Sequence, residues 1–288
     1  MNRNDCPIVS VIIPTRNRID ELLVTLDRLE RMREPDMEIL VYDDASDTDP
    51  RPVLAGRFPS VRTFRSDRRV GPCELRNRLV NEAASPIIVG LDDDSAPEDA
   101  TAFDRIGRAF RTYPRLGLLS CRIRTEGRTM WPAERGPSFR RTASFIACGF
   151  AARRDALLAV GGFDADIFRA GEERDLVIRL LDAGYEVRQA DDIVVVHRES
   201  PSERDHQFIH TYALRNELLF ILKRVPARCV PGRLARQTAS HVRFCAIRRW
   251  WRAMRGGFAG FVREAPTALR KRKAVRMETW RHFVAAAE

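Results

Sequence analysis

Short runs of consecutive apolar residues alternate with amphipathic segments along the first two thirds of the chain. The runs at 8–14, 37–44 and 87–91 are rich in Val, Ile and Leu and predict buried strands. Apolar residues at helical spacing follow at 19–32 and 73–84 and predict helices. Continuous apolar strands that alternate with helices are typical of an α/β protein whose mostly parallel sheet has helices on both faces.

The later elements are less regular. The pattern predicts a helix near 98–112, a strand at 116–123, a helix from 171 that ends at Gly184, and a last strand at 192–197. Between them, the glycine- and proline-containing stretch at 124–142 predicts a mobile loop. Its Trp131 has two interpretations, stacking on a sugar ring or filling a hydrophobic gap.

Polar clusters directly follow three of the predicted strands: PTRN at 14–17, DDASD at 43–47 and DDDS at 92–95. Ligands of open α/β sheets bind beyond the carboxyl ends of the strands, so we expect these clusters to converge at one edge. The sequence has no GxGxxG turn after the first strand and no GxxxxGK(S/T) loop, so a bound nucleotide diphosphate would need another source of positive charge. Aspartates can hold Mg²⁺ or Mn²⁺, which bridges to phosphates, although acidic turns considered alone are commonly just solvated.

Positive charge is concentrated at the carboxyl-terminal end of the chain. Residues 206–288 contain 18 Lys and Arg against 4 Asp and Glu, whereas residues 1–205 contain 32 against 36. The composition turns polar near 197–207. We therefore expect two regions with different roles, one at 1–205 and a basic helical extension at 206–288.

Cysteine usage and hydropathy favour a cytoplasmic protein. The six cysteines are scattered without a CxxC pair, which argues against a zinc ribbon and against a disulfide framework. We expect no secretory signal at the start of the sequence, and no run of about 18 apolar residues predicts a membrane span.

The polar clusters belong to seven segments that resemble, in order, the inverting family 2 glycosyltransferases: VSVIIPTRNR, ILVYDDASDTD, GPCELRNRLVNEA, IIVGLDDDS, GFAARRDALLAVGGFD, GEERDLVIRLLDAGY and VVVH. The resemblance runs from about Pro7 to His197, and YALRNELLFILKR is similar to the segment that follows the catalytic domain in rhamnosyltransferase-like members. It implies a GT-A fold and a nucleotide-sugar-binding catalytic domain at 1–205. The donor would be linked to UDP, dTDP or GDP.

The resemblance also implies roles for the residues that match the family's motifs. Asp44 would accept a hydrogen bond from the nucleobase, in a pocket that Pro14, Thr15 and Arg16 line. Arg76 would help to hold the nucleotide.

The aspartate triplet resembles the DxD motif of the family. Asp92 would face the ribose or sugar, and Asp94 would coordinate Mn²⁺ or Mg²⁺ on the diphosphate. Asp93, between them, would lie beside the donor, but the resemblance implies no definite role for it. His197 would add a metal ligand, which favours Mn²⁺, although a lone histidine at a strand end is as often structural.

The implied reaction is a displacement at the anomeric carbon, in which a base takes the proton of an acceptor hydroxyl on a glycan or glycolipid. In this family the base is the second acid of an ED motif at the start of a helix, which maps to Glu173 in GEERD. The family more commonly has Asp there, and the extra methylene extends the reach by about 1.5 Å. The alternative reading of Glu172, Glu173 and Asp175 is that they are simply favourable charges at a helix N-terminus.

The basic extension has three interpretations. Its arginines are mixed with Trp250, Trp251, Phe258 and Phe261, a composition typical of an amphipathic helix on an anionic membrane surface. Docking of this kind would hold the protein at the inner face of the membrane, close to a lipid-linked acceptor. The helices could instead pack on the catalytic domain, or bind nucleic acid, which we rank last because no nucleic-acid-binding module accompanies them.

Two other functions fit parts of the sequence. A non-catalytic GT-A module could bind membrane or nucleic acid through the basic extension, with Glu173 as one cause of lost activity. A nucleotidyltransferase could share the sheet, but it would be expected to carry a glycine- and lysine-containing phosphate loop after the first strand, where this sequence has PTRN.

Overall fold

A central sheet with helices on both faces forms the body of the protein. The computed structural model describes residues 9–33, 37–125, 130–132, 138–198 and 205–286. The strands within them are β1 Val9–Thr15, β2 Met37–Asp43, β3 Arg62–Arg65, β4 Ile87–Leu91, β5 Ser95–Pro97, β6 Leu116–Thr125, β7 Met130–Trp131, β8 Arg140–Arg141, β9 Gly149–Arg153 and β10 Glu186–His197. The helices are α1 Ile19–Arg31, α2 Arg51–Arg57, α3 Pro72–Glu82, α4 Thr101–Thr112, α5 Arg154–Ala159, α6 Glu172–Asp182, α7 His206–Arg224, α8 Val230–Arg248, α9 Trp251–Arg270 and α10 Met277–Ala285.

The strands lie in the order β3-β2-β1-β4-β9-β6-β10-β5, with β7 paired to β6 and β8 paired to β10. Parallel pairing joins β1 to β2 and β4, β2 to β3, and β6 to β10. Strand β9 runs antiparallel to both of its neighbours, β4 and β6. Gly90 in β4 permits this contact, because a Cβ there would lie 2.0 Å from the ring of Phe150 in β9. The α/β class predicted from the sequence is confirmed.

Each face of the sheet has its own hydrophobic core. Ile12 of β1 points into one core, whereas its neighbours Val11 and Ile13 point into the other, as the alternation of side chains along a strand requires. The second core is covered by α1 and α4. The first is covered by α3, α6 and helices of the basic extension, which contribute side chains such as Leu214 and Trp280.

Two later elements differ from the sequence prediction. Strand β10 begins at Glu186, six residues before the predicted start, and its register with β6 shifts between Ala190 and Val194. Asp191 and Asp192 in this shift interrupt the apolar pattern, which is why the sequence indicated only the second half of the strand. Within the predicted mobile loop, the short strands β7 and β8 pair with β6 and β10, and residues 126–129 and 133–137 lie outside the described residues.

The basic extension packs against α6 and shares the hydrophobic core on that face of the sheet. Helix α7 begins at His206, and the Asp205 side chain caps it by accepting hydrogen bonds from the amides of Gln207 and Phe208. Lys223 Nζ lies 2.7 Å from an oxygen of Asp164. One hydrophobic core includes residues from both sides of the predicted boundary at 205/206. The division of the chain into two domains there stays a prediction. Among the described residues, no helix is both long enough and apolar enough to cross a bilayer.

Candidate active site

The polar clusters that follow β1, β2 and β4 meet at one edge of the sheet. Thr15 Oγ1, at the end of β1, donates a 2.8 Å hydrogen bond to Asp93 Oδ2, beyond β4. Asn17 Nδ2 donates to Asp47 Oδ2 at 3.0 Å, which joins the first cluster to the second. The convergence expected from the parallel sheet is therefore present.

A cavity of about 280 Å³ opens at this edge, and we call it the edge cleft. Nine of the ten candidate site residues line it: Pro14, Thr15, Arg16, Asp44, Arg76, Asp92, Asp93, Glu173 and His197. Arg18, Arg69 and Arg169 also line the cleft. The sequence reasoning missed these three arginines. Only Arg18, inside the PTRNR segment, carried a signal that could have pointed to it.

Asp44 is buried and holds one wall of the edge cleft. Its two carboxylate oxygens accept hydrogen bonds from the amides of Val70, at 2.6 Å, and Gly71, at 2.9 Å. Gly71 has a φ of 90°, a conformation that glycine adopts at no steric cost. Asp44 thus fixes the loop that leads into α3, and each of its oxygens keeps a further lone pair that can accept a hydrogen bond.

Arg76 brings a buried positive charge to the edge cleft. It lies on α3, is 2% exposed, and its Nη2 lies 2.6 Å from Asp92 Oδ1. Its Nε and Nη1 are buried without a hydrogen-bond acceptor among the described residues. Buried donors without partners are rare in proteins, so Arg76 retains hydrogen-bonding capacity that a bound anion could use.

The second and third aspartates of the triplet share the guanidinium of Arg18, at 3.0 Å for Asp93 and 2.5 Å for Asp94. Burial, reinforced by the charges of Asp94 and Asp92, raises the pKa of Asp93 to about 7 in spite of Arg18. Burial alone would also raise the pKa of Asp94, but His197 and Arg18 outweigh it and hold that pKa well below its usual range. At neutral pH, Asp94 is therefore the firmly ionised member of the pair.

One group of potential metal ligands lies at the edge cleft and includes His197, whereas ligation by Asp94 stays a prediction. A carboxylate oxygen of Asp92, a ring nitrogen of His197 and the sulfur of Cys148 all lie within 4.8 Å of one another. Asp94 is 1% exposed, does not line the cleft, and places Oδ1 3.1 Å from His197 Nε2. Asp94 thus lies behind the imidazole, as the outer carboxylates of many metal sites do.

Cys148 fits a hard cation poorly. Burial, followed by the charges of Asp92 and Asp94, raises the pKa of its thiol well above the usual value, so the thiol stays protonated. Asp92 and His197 are therefore the two side chains best placed to bind a cation. Nothing in the sequence pointed to Cys148, which has no second cysteine nearby in the chain.

Glu173 lies at the start of α6. Gly171, with φ 97°, directs the chain into the helix, and the helix N-terminus favours negative charge. Burial, followed by the neighbouring Glu172 carboxylate, nevertheless raises the pKa of Glu173 to about 8. A carboxylate with such a pKa is well suited to accept a proton near neutral pH.

Glu173 also faces a second, larger cavity of about 690 Å³, which we call the helical groove. The groove lies between residues 143–146, the start of α6, and helices α7, α8 and α10. Ile146 and Glu173 line both the groove and the edge cleft. Glu173 therefore stands at the junction of two binding spaces.

Known proteins share this sequence pattern and this fold. The family described as Glycosyl transferase family 2 matches residues 10–158. The pre-mycofactocin glycosyltransferase of Mycobacterium tuberculosis is 24% identical over 217 residues, which cover 68% of this chain and 44% of that protein. The chain thus spans less than half the length of that relative.

Two solved structures resemble this fold at low sequence identity. The mannosyltransferase PcManGT from Pyrobaculum calidifontis, in complex with GDP-Man and Mn²⁺, is 19% identical, with a TM-score of 0.62 over 98% of this chain and 80% of that chain. TarS 1–349 of S. aureus, in complex with UDP, is 16% identical, with a TM-score of 0.55 over 73% of this chain and 65% of that chain. These similarities confirm the GT-A fold.

Proposed function

Because the chain belongs to glycosyl transferase family 2, we propose that it transfers a sugar from a nucleotide-diphosphate donor to a hydroxyl of a glycan or glycolipid, with inversion at the anomeric carbon. The observation that carries the proposal is the position of Glu173, a carboxylate with a raised pKa between the edge cleft and the helical groove. A general base must reach the acceptor hydroxyl while that hydroxyl faces the donor. The junction of two cavities meets this requirement.

The donor fits the edge cleft. Pro14, Thr15, Arg16 and Asp44 form its nucleobase end in this proposal, and the unpartnered donors of Arg76 bind the diphosphate. PcManGT and TarS bind GDP-Man and UDP, which supports a nucleotide in this cleft. In this donor the sugar is linked to UDP, dTDP or GDP.

The proposed cofactor is Mn²⁺ or Mg²⁺, held by Asp92 and His197 with Asp94 orienting the imidazole. One carboxylate and one imidazole form a donor set that suits Mn²⁺ better than Mg²⁺, and PcManGT contains Mn²⁺. When bound, the cation would neutralise the charge of the departing diphosphate. The role given to Asp94 differs from the direct ligation that the resemblance implied.

The chain's own residues perform the proton transfer. Ionised Glu173 accepts the proton of the acceptor hydroxyl, and the oxygen of that hydroxyl attacks the anomeric carbon from the groove side. The diphosphate leaves without a general acid, which a glycosidase would need for its poorer leaving group. Attack from the side opposite the leaving group inverts the anomeric centre.

A nucleotide panel tests the donor and the metal together. We expect one of UDP, dTDP and GDP to raise the melting temperature, with a larger shift in Mn²⁺ than in EDTA; a ligand at 100 times its Kd stabilises by about 2.7 kcal/mol. Asp92→Asn should lose the Mn²⁺-dependent part of the shift, whereas Asp99→Asn, an exposed carboxylate outside the cleft, should keep it. Equal shifts in Mn²⁺ and EDTA would count against the cofactor.

An anionic membrane surface is the further partner that we propose. Phe244, Ile247 and Trp251, where α8 meets α9, are 38%, 70% and 51% exposed, and we call them the corner patch. The sequence between Glu217 and Glu264 contains no acidic residue. Phe258 and Phe261, in contrast, pack on the core, so packing accounts for part of the basic extension. Exposed aromatic and aliphatic side chains among arginines fit an anionic lipid interface.

Vesicle sedimentation tests the corner patch. We expect the full chain to sediment with vesicles that contain phosphatidylglycerol but not with pure phosphatidylcholine. Ile247→Ser/Trp251→Ser should weaken binding by at least about tenfold, since each side chain contributes about 1.5–3 kcal/mol when fully buried. The control is Val53→Ser, which changes a side chain 50% exposed on α2. Unchanged sedimentation of the double variant, or salt-sensitive binding to RNA in place of vesicles, would overturn this part of the proposal.

A further inference from the structure

We propose that Cys148 is a third ligand at the cation site of the edge cleft, used only by a borderline-soft ion such as Zn²⁺ or Co²⁺. With such an ion bound to its sulfur, the site holds a nucleoside diphosphate less tightly than it does with Mn²⁺. The inference rests on the cation site proposed above for Asp92 and His197. It adds a ligand and a metal selectivity that the resemblance to the family does not imply.

Three different types of metal ligand lie together at the edge cleft. The sulfur of Cys148, a ring nitrogen of His197 and a carboxylate oxygen of Asp92 are all within 4.8 Å of one another. On a tetrahedral Zn²⁺ ion such atoms lie about 3.3–3.6 Å apart, since the bonds to sulfur, nitrogen and oxygen are about 2.0–2.3 Å long. Shifts of about 1 Å or less at each side chain would therefore close the three groups around one ion.

The two outer ligands have room for these shifts. The side chains of Asp92 and His197 are 35% and 18% exposed, whereas Cys148 is 2% exposed. Oδ1 of Asp92 accepts a hydrogen bond from Arg76, and a carboxylate has enough lone pairs to bind a cation as well. Asp94 Oδ1, 3.1 Å from His197 Nε2, holds the imidazole as outer carboxylates hold metal-binding histidines.

The fold holds Cys148 beside the cleft. Cys148 directly precedes β9, and its carbonyl oxygen accepts a 2.7 Å hydrogen bond from Ser95 Oγ at the start of β5. Its thiol forms no disulfide, and the residue lines the edge cleft together with Asp92 and His197. Three protein ligands at an open cleft leave a position for a fourth, as catalytic zinc sites do.

The softness of the cation decides whether the thiol takes part. Mg²⁺ and Mn²⁺ prefer oxygen ligands, whereas thiolate sulfur selects softer ions such as Zn²⁺. A thiol that coordinates a metal is deprotonated outright, so Cys148 gives its proton to solvent as the metal–sulfur bond forms. With Mn²⁺ in the cleft, the thiol stays a neutral neighbour of the site.

The additional ligand changes the charge that the donor meets. A divalent ion held by the Asp92 carboxylate and a neutral His197 ring keeps one net positive charge, whereas the Cys148 thiolate cancels it. The attraction between the site and a diphosphate falls with that charge. We therefore expect the nucleotide-dependent rise in melting temperature of the wild type to be smaller in Zn²⁺ than in Mn²⁺, and Cys148→Ser to reduce the difference.

Optical titration of the full chain with Co²⁺, in the presence of a phosphine reductant, tests the ligand directly. A bond between Co²⁺ and a thiolate sulfur gives a strong charge-transfer band in the near ultraviolet, which oxygen and nitrogen ligands do not give. We expect the wild type to show this band. Added Zn²⁺ should remove it, because Zn²⁺ takes the same ligands and binds them more tightly than Co²⁺.

Variants locate the sulfur. Cys148→Ser and Cys148→Ala should abolish the band and weaken Co²⁺ binding by at least about tenfold, since loss of even an outer partner of a metal ligand usually costs that much. Mn²⁺ binding, followed by the spin-resonance signal of the free ion, should change little. Cys121→Ser, a buried cysteine of β6 that does not line the cleft, should keep the band. Melting temperatures show that each variant is folded.

Three results would overturn the inference: no band in a wild-type protein that binds Mn²⁺, a band that survives both Cys148 variants, or equal Co²⁺ affinity with and without the sulfur. A wild-type protein that binds neither Mn²⁺ nor Co²⁺ would count against the cation site of the proposed function as well. None of these measurements depends on sugar transfer, so their outcome is independent of the role of Glu173.

Discussion

Replacing Glu173 with glutamine is expected to lower the rate of sugar transfer by about 10²- to 10⁴-fold, the usual contribution of a general base. The amide keeps the size of the side chain but cannot accept the acceptor's proton. Stabilisation by the donor nucleotide should persist, because Arg76 and the aspartates of the edge cleft are unchanged. A steady-state transfer assay and a melting curve with nucleotide measure the two effects separately.

The pH dependence should identify the base. With the pKa of Glu173 raised to about 8, only a small fraction of the carboxylate is ionised at pH 6. We expect kcat/KM to rise about tenfold per pH unit below pH 8 and to level off above it. The Glu173→Gln variant should lose this rise, whatever activity it retains.

The same substitution should stabilise the fold at high pH. The pKa of Glu173 rises from 4.5, its ordinary value, to about 8, so the folded protein holds this proton more tightly than the unfolded chain. Its ionisation therefore destabilises the fold increasingly as the pH rises from about 4.5 through 8, and has no effect below that window. The melting temperature of Glu173→Gln should exceed that of the wild type at pH 9 and match it near pH 4.5.

Asp104→Asn provides the control for both measurements. Asp104 is an exposed carboxylate in the first turn of α4, on the other face of the sheet. This variant should match the wild type in rate and in pH dependence. A Glu173→Gln protein that transferred sugar at the normal rate would refute the assignment of the base.

The sequence indicated the elements that depend on residues close together in the chain. The apolar runs of β1, β2 and β4 end in polar clusters, and parallel pairing brings those ends together. The reversed direction of β9 left no such signal, because GFAAR is compatible with either direction. The contact between Gly90 and Phe150 that accompanies it joins residues far apart in the chain.

The roles within the aspartate triplet depend on partners that are distant in sequence. Nothing in LDDDS distinguishes Asp92 from Asp94, because the distinction comes from Arg18 in the first polar cluster and His197 at the end of β10. The helical groove is hidden for the same reason. Its walls join Glu173 to arginines on α8, about sixty residues later, and no periodic pattern records that contact.

Deleting residues 206–288 is expected to prevent the remaining 1–205 segment from folding, although the sequence predicts a domain boundary there. Eight buried apolar residues of the extension belong to the core that covers one face of the sheet: Leu214, Leu218, Phe220, Ile221, Val225, Val275, Trp280 and Phe283. Each contributes about 1.5–3 kcal/mol when fully buried. Their sum is comparable to the whole stability of a typical domain, about 5–15 kcal/mol.

Buried ion pairs between the extension and the rest of the chain also stabilise the fold. Single substitutions in these pairs test their contribution to the free energy of unfolding. Arg224 is 7% exposed and places Nε 2.6 Å from Asp175 Oδ1, itself 1% exposed. Arg224→Ala should lower the free energy of unfolding by about 3–5 kcal/mol, because it leaves the Asp175 carboxylate buried with less compensation. Lys271→Ala, which removes an exposed partner of Asp166, should change it by less than about 1 kcal/mol.

Urea unfolding of the full chain, the two point variants and the 1–205 segment measures these differences. A cooperative transition of the segment at the midpoint of the full chain would show that the extension is an independent appendage. Loss of the transition, with Arg224→Ala intermediate and Lys271→Ala unchanged, would show that the extension completes the catalytic core. The helices that line the groove would then be required for folding, since α7 and α10 supply core side chains as well as residues of the groove lining.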